Sequence, residues 1–361
     1  MEQQKTNSFL VLFLAPIKAY LEDDNVSEIL INGPKQIYIE RRGKLEKTDT
    51  QFVSEPALRA AATNIAKSVQ RLLDDNNPRL DARLPDGSRV HAVIPPLSRC
   101  GTVIAIRKFK KDTLTIEKML EFGSLSSDVK QILEALVKLH KNVIVSGGTS
   151  SGKTSLLNAL SSFIPNNERV LVIEDASELQ LQQEHVVSFE TRKPDKNGNG
   201  EVTIRDLIVS SLRLRPDRLI VGEIRGGEAL DLLQALNTGH AGSMSTIHAN
   251  TPLDCLFRLE TCALLSGIEI PLMALRSQVA SAIDAVVHTA RLSDGTKKVM
   301  AVSDVLPLKN GEYQTRDLIA WKTENIGGDG KIYGRFILKE KPTFAEQAAM
   351  LGMPLPTCNS Q

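Results

Sequence analysis

The chain has 361 residues, enough for two domains at about 150 residues each, and its 42% hydrophobic and 24% charged content is that of a globular protein. Lys+Arg 44 against Asp+Glu 43 leaves a net charge of +1, and aromatics are only 4%, which excludes a surface built throughout for nucleic acid or for base stacking. The four cysteines, at 100, 255, 262 and 358, have no C-x-x-C spacing, so neither a zinc ribbon nor a disulfide scaffold is indicated and a reducing compartment fits.

Residues 9–15 (FLVLFLA) form an apolar run that Pro16 closes. It is far shorter than the roughly 20 residues of a membrane span. The leader MEQQKT lacks a positive bias, so a packed or interface helix is expected rather than a cleaved signal. The stretches 26–31 and 36–40 read as short strands about an Asn32-Gly33-Pro34 turn, with a second turn at Arg42-Gly43. Helical spacing over 55–73 puts Leu58, Ala61, Ala62, Ile65 and Val69 on one face. Strand-like runs at 81–84 and 90–94 flank Asp86-Gly87, and 102–107 reads as another strand. Residues 1–108 are therefore expected to form a mixed α+β domain.

The basic run 107–111 opens a linker expected over 109–124, and the texture changes from about residue 125. A helix is predicted over 129–140, then short apolar strands at 142–146, 170–173 and 219–221 with helical stretches between them. That alternation predicts a parallel sheet covered on both faces, so 125–361 reads as an α/β domain with a C-terminal extension. Residues 193–200 (KPDKNGNG) read as a polar loop.

The strongest motif is Gly147, Gly148, Thr149, Ser150, Ser151, Gly152, Lys153 and Thr154, which satisfies G-x-x-x-x-G-K-[ST] between a strand and a helix. Small residues let the backbone curl so that its N–H groups point at phosphate oxygens, and the helix adds its positive end. Lys153 is suited to the β- and γ-phosphates and Thr154 to Mg²⁺, so ATP and Mg²⁺ are the expected cofactors. Carboxylates follow two of the apolar runs: Glu174, Asp175 and Glu178 after one, Glu223 after the other. Where ordinary P-loop ATPases place an Asp, this chain has Gly222. Either Glu223 serves metal or water, or Glu174, Asp175 and Glu178 share that duty. The segment 238–250 (TGHAGSMSTIHAN) surrounds His240 and His248 with small residues, which suits a sensor of the γ-phosphate better than a zinc site.

These segments resemble the ATPases of the type II/type IV secretion superfamily, whose four boxes occur here in order: GGTSSGKT, VIEDASEL, RPDRLIVGEIRGGEA and TGHAGSMSTIHAN. Within it the chain is similar to the CpaF/TadA type of tight-adherence (Flp) pili, through DARLPDGSRVHAVIPP, IAIRKF, RLETCALLSGIEIPL and, more weakly, GKIYGRF. The likeness covers most of the chain from about residue 18. A longer N-terminal region of many relatives is absent, as is the four-cysteine metal module of some, so no zinc is expected. The resemblance implies a RecA-like P-loop ATPase domain behind a mixed α+β N-terminal domain. It implies a homohexameric, cytoplasmic motor, peripheral at the inner membrane, that moves a platform protein and works without nucleic acid. It also implies catalytic duties for Glu223, Glu178 and His248, metal duties for Thr154, Glu174 and Glu223, and phosphate contacts for Arg89 and Arg107, with Arg99 a weaker candidate. Arg89 follows the Asp86-Gly87 turn and Arg107 ends a strand, so each can face a cleft, or pair with a carboxylate such as Asp86. The alternatives are a conjugation-type secretion ATPase, a nucleic-acid-dependent P-loop ATPase and a non-hydrolysing nucleotide-binding scaffold.

Overall fold

The structure, a computed structural model, describes residues 13–41, 43–109, 114–194 and 198–357. The chain divides into two compact units, Met1–Asp112 and Thr113–Gln361.

The first unit is an antiparallel sheet with one long helix against it. Its strands are β1 (Val26–Asn32), β2 (Ile37–Arg41), β3 (Lys44–Lys47), β4 (Arg79–Arg83), β5 (Arg89–Val93) and β6 (Val103–Arg107), in the order β3-β2-β1-β6-β5-β4. Strand alternation sends Ile29, Ile31, Val90, Ala92, Ile104 and Ile106 to the core face. There they meet Leu58, Ala61, Ala62 and Ile65 of the helix Glu55–Ser68, the stripe that its spacing predicts. Ser54 caps that helix by accepting from the Ala57 N–H. Of the apolar run 9–15, Phe13 and Leu14 pack on this core, Leu14 fully buried, while residues 9–12 lie outside the described residues.

The second unit is built on a nine-stranded sheet. Its strands are β7 (Val143–Gly147), β8 (Val170–Glu174), β9 (Val186–Glu190), β10 (Arg218–Ile224), β11 (Met244–His248), β12 (Ala285–Arg291), β13 (Lys297–Lys309), β14 (Glu312–Ile326) and β15 (Ile332–Leu338). The order is β15-β14-β13-β12-β7-β11-β10-β8-β9. From β12 through β9 every pair is parallel. Val143 and Val145 point to one core and Ile144 to the other, so β7 is covered on both faces. Helices Ser127–Lys138 and Lys153–Ser161 cover one face, and Glu228–Asn237, Pro252–Leu264 and Leu272–Ala282 the other. This is the RecA-like domain that the resemblance implies.

Two expectations change. Residues 116–121 are a helix, Ile116–Glu121, not linker: Thr115 caps it, and Ile116 and Met119, one turn apart, are buried in the second unit's core. Residues 110–113, with Lys110 and Lys111 of the basic run, lie outside the described residues, as do Arg42, 195–197 and Cys358. The C-terminal stretch also joins the main sheet, because β13 pairs antiparallel with β12 and carries β14 and β15 outward.

Candidate active site

Parallel strands bring their carboxyl ends to one edge of the sheet, and the phosphate loop leaves β7 at that edge. The loop is shaped for inward-pointing amides: Ser150 has φ 58°, Gly152 φ 97° and Gly147 φ 155°. A Cβ on Gly147 would lie 2.3 Å from the Thr289 carbonyl oxygen, so only glycine fits there. Nothing lies within 4 Å of a Cβ built on Gly148, so the space over the loop is open. Thr149 and Thr154 take their places in the loop and in the first turn of the helix Lys153–Ser161. The helix presents its positive end to that space.

Lys153 is largely buried and its Nζ donates to the Gly148 carbonyl (2.9 Å). It also lies 3.4 Å from both ring nitrogens of His248, the last residue of β11. His248 Nε2 stands 2.8 Å from Glu223 Oε1. Arg225 donates to Glu223 Oε2 through Nε (2.8 Å) and Nη2 (2.5 Å), and reaches Asp175 at 3.4 Å. Lys153, His248, Glu223, Arg225 and Asp175 thus form one polar chain, drawn from the start of the helix after the phosphate loop and from the carboxyl ends of β11, β10 and β8. Burial lowers the Lys153 pKa, opposed by Glu223 and reinforced by Arg225. Burial, then Lys153, lowers that of His248, against the pull of Glu223, so the ring is neutral near pH 7.

Glu174 and Glu178 are arranged differently. Glu174 is buried, and its Oε1 accepts from the Glu178 and Leu179 N–H groups at 2.8 and 3.0 Å, which shapes the turn after β8. A Cβ on Gly222 would meet Glu174 Cγ at 2.9 Å. The neighbouring strand's carboxylate therefore fills the place where an ordinary P-loop enzyme has its own Asp, and β10 continues through Gly222 and Glu223 to Ile224. The Glu178 side chain is exposed. The two histidines of the fourth box are not neighbours. His240 precedes β11 and His248 ends it, so the strand Met244–His248 holds them at opposite edges of the sheet. His240 Nδ1 lies 3.3 Å from the Ala235 carbonyl.

In the first unit, pairing places Arg107 opposite Arg89 and Arg89 opposite Arg83, with Glu28 opposite Arg107 on the other side. Directly paired residues share a face, so three arginines stand abreast on the face away from the helix. Arg89 is held by Asp81 through two contacts of 3.2 Å, whereas Asp86 binds the Ser88 N–H and hydroxyl. Burial, and then Glu40, raises the Glu28 carboxyl against the pull of Arg107. Arg99 lies in the loop between β5 and β6, outside this row.

Type II/IV secretion system proteins match residues 13–331. The chain belongs to this family. A Mycobacterium tuberculosis protein named for conjugal transfer is 32% identical over 314 residues, 85% of this chain and 88% of that protein. The conjugal transfer protein TrbB of Rhizobium radiobacter is 32% identical over 304 residues (82% and 88%), and VirB11 of Bartonella quintana 31% over 334 (82% and 93%). Among solved structures, the Legionella pneumophila ATPase DotB superposes with a TM-score of 0.58 at 19% identity, covering 83% of this chain and 81% of that one. The pilus retraction motor PilT with bound ADP gives 0.56 at 17% identity, covering 95% and 86%. These likenesses confirm the fold. Family membership and the intact phosphate loop together make this secretion-family chain an ATP-hydrolysing enzyme. Sequence reasoning gave no role to Arg225, although it lies two residues beyond Glu223, a spacing that puts two side chains on the same face of a strand.

Proposed function

We propose that this chain is the ATP-driven motor of a tight-adherence (Flp) pilus, of the CpaF/TadA type. It works as a homohexamer, cytoplasmic and peripheral at the inner membrane, and acts on a membrane-embedded platform protein. The observation that carries the ATPase chemistry is the chain Lys153–His248–Glu223–Arg225 at the lip of the phosphate loop. The pilus assignment is supported by the stretches at 81–96, 104–109 and 258–272.

In this reading Lys153 binds the β- and γ-phosphates, Glu223 orients and polarises the attacking water, and neutral His248 reads the γ-phosphate by hydrogen bonding. The residues present suit Mg²⁺. Thr154 offers a hydroxyl at the helix start, and Glu223 Oε1 is sealed from solvent with no hydrogen bond of normal geometry, only the approach of His248. Bound there, Mg²⁺ offsets charge on the phosphates. Glu174 serves the same site by bracing the turn, and Glu178 is a second carboxylate for the water. Arg89 and Arg107 are proposed to reach the phosphates when the two units close on each other. Among the described residues no helix is long and apolar enough to cross a membrane.

A conjugation-type secretion ATPase is the second reading, favoured by the names of relatives about 32% identical. The ATPase is tested with purified wild type, Lys153→Ala and Glu223→Gln; turnover unchanged in Lys153→Ala removes the assignment. Neighbouring genes separate the two machines. Pilin, prepilin peptidase and two platform proteins favour the pilus, and conjugation components favour the alternative.

A further inference from the structure

The phosphate loop rests on a strand distant in sequence. β12 pairs in parallel with β7, placing His288 opposite Ser146 and Thr289 opposite Gly147. The Thr289 Oγ1 donates to the Ser146 carbonyl (3.2 Å) and lies 2.9 Å from Ser151 Oγ inside the loop. A threonine hydroxyl has one proton. With that proton on Ser146, the Thr289 oxygen accepts from Ser151, which fixes the direction of the Ser151 hydroxyl. His288 Nδ1, 2.9 Å from Ser146 Oγ, completes a buried set of partners. The pairing of β12 with β13 shifts register between His288 and Thr289, and such irregularities re-aim side chains beside active sites. The absent side chain of Gly147 leaves the room that Thr289 occupies: a Cβ there would lie 2.7 Å from Thr289 Oγ1.

We propose that Thr289 is a positioning residue for nucleotide binding: its hydroxyl locks Ser151 and the end of β7 so that the loop amides converge on the phosphates. This deepens the ATPase reading and rests on it. The hydroxyl acts through Ser151 and touches no reacting atom. Without it, a buried carbonyl and a buried hydroxyl lose their partner, and the loop between them gains freedom that phosphate binding must then remove.

The test uses the full chain and the fluorescent analogue mant-ATP, with Lys153→Ala as control. Thr289→Val, close in shape but without the hydroxyl, is expected to weaken mant-ATP binding about tenfold and to raise the KM for ATP by a similar factor, with kcat changed less than about threefold. Thr289→Ser, which restores the hydroxyl, is expected to return both to within about twofold. Ser151→Ala approaches the same contact from the other side and serves where Thr289→Val fails to fold. It is expected to weaken binding comparably, and where Thr289→Val folds, adding it to Ser151→Ala is expected to cost little more, because the contact is already gone. Unchanged binding in Thr289→Val overturns the inference, as does equal weakness in the Val and Ser variants, which would mark a packing role. Wild type that fails to bind mant-ATP overturns the ATPase reading instead.

Discussion

Glu223 sits among three basic groups, and each limits what it can do. Arg225 holds one oxygen and His248 stands against the other, so the carboxylate is oriented from both sides. Glu223→Gln preserves shape and removes the charge. ATP is expected to bind within a few-fold of wild type while turnover falls by about 10² or more, measured by phosphate release. Gly222→Ala is a different kind of change, because the new methyl would meet Glu174 Cγ at 2.9 Å. Displacing Glu174 releases the Glu178 and Leu179 amides, so lower thermal stability together with lower turnover is expected. His288 sets a pH dependence. Burial holds its pKa below the ordinary value of 6.5, so as pH falls through that value the unfolded chain takes up the proton first. Its contribution to stability is full above pH 6.5 and is lost as the pH drops. His288→Asn, which can keep the bond to Ser146 without titrating, is expected to show a shallower loss of urea resistance between pH 7 and about 5.5.

At the scale of elements, the far edge of the parallel sheet is anchored by Arg218, at the start of β10. Its guanidinium is fully buried, bonds to Glu168, and donates to the carbonyls of Val137 (2.8 Å) and Gly242 (3.2 Å). Arg218, the second arginine of the RPDRLIVGEIRGGEA box, thus braces the sheet at the end opposite the phosphate loop. Glu168→Ala leaves that cation buried without its counter-charge, and a loss of about 3–5 kcal/mol in urea unfolding is expected. The long strands β13 and β14 were legible but were not read: Asn310-Gly311 between alternating runs is a hairpin signal, and both residues adopt positive φ, 54° and 80°. The helix Ile116–Glu121 escaped because six residues give too little periodicity to separate a packed helix from a connector.

At the scale of the whole molecule, three arginines stand side by side on β4, β5 and β6, with Asp81 bonded to Arg89 and Glu28 opposite Arg107. The phosphate contacts proposed for Arg89 and Arg107 are tested by removing each side chain. Arg89→Ala and Arg107→Ala are each expected to lower turnover by up to about 10³ while mant-ATP affinity changes much less. Light scattering on the same samples reads ring assembly, and lost assembly would make them interface residues. The row's register was not readable from sequence, since a cross-strand neighbour depends on which strands pair. That both arginines end up on one face follows only once β5 and β6 are known to be adjacent.

Local chemistry was decided by the sequence itself. The phosphate loop, the strand before it and the helix after it are contiguous, and small residues at fixed spacing dictate a curled backbone wherever the strand lies. The helical stripe of Leu58, Ala61, Ala62 and Ile65 and the apolar strands of the second unit were equally local, because period and burial are set within a dozen residues. Tertiary structure alone decided the partners. It put β7 between β11 and β12, and so placed His248 and Thr289 on either side of the loop although they lie 95 and 138 residues from their contacts Lys153 and Ser151. It sent His240 to the opposite edge from His248, and filled the space over Gly222 with the side chain of Glu174. Strand order is chosen by how two apolar faces are best covered by helices, a property of the whole packed sheet that no stretch of the chain carries alone.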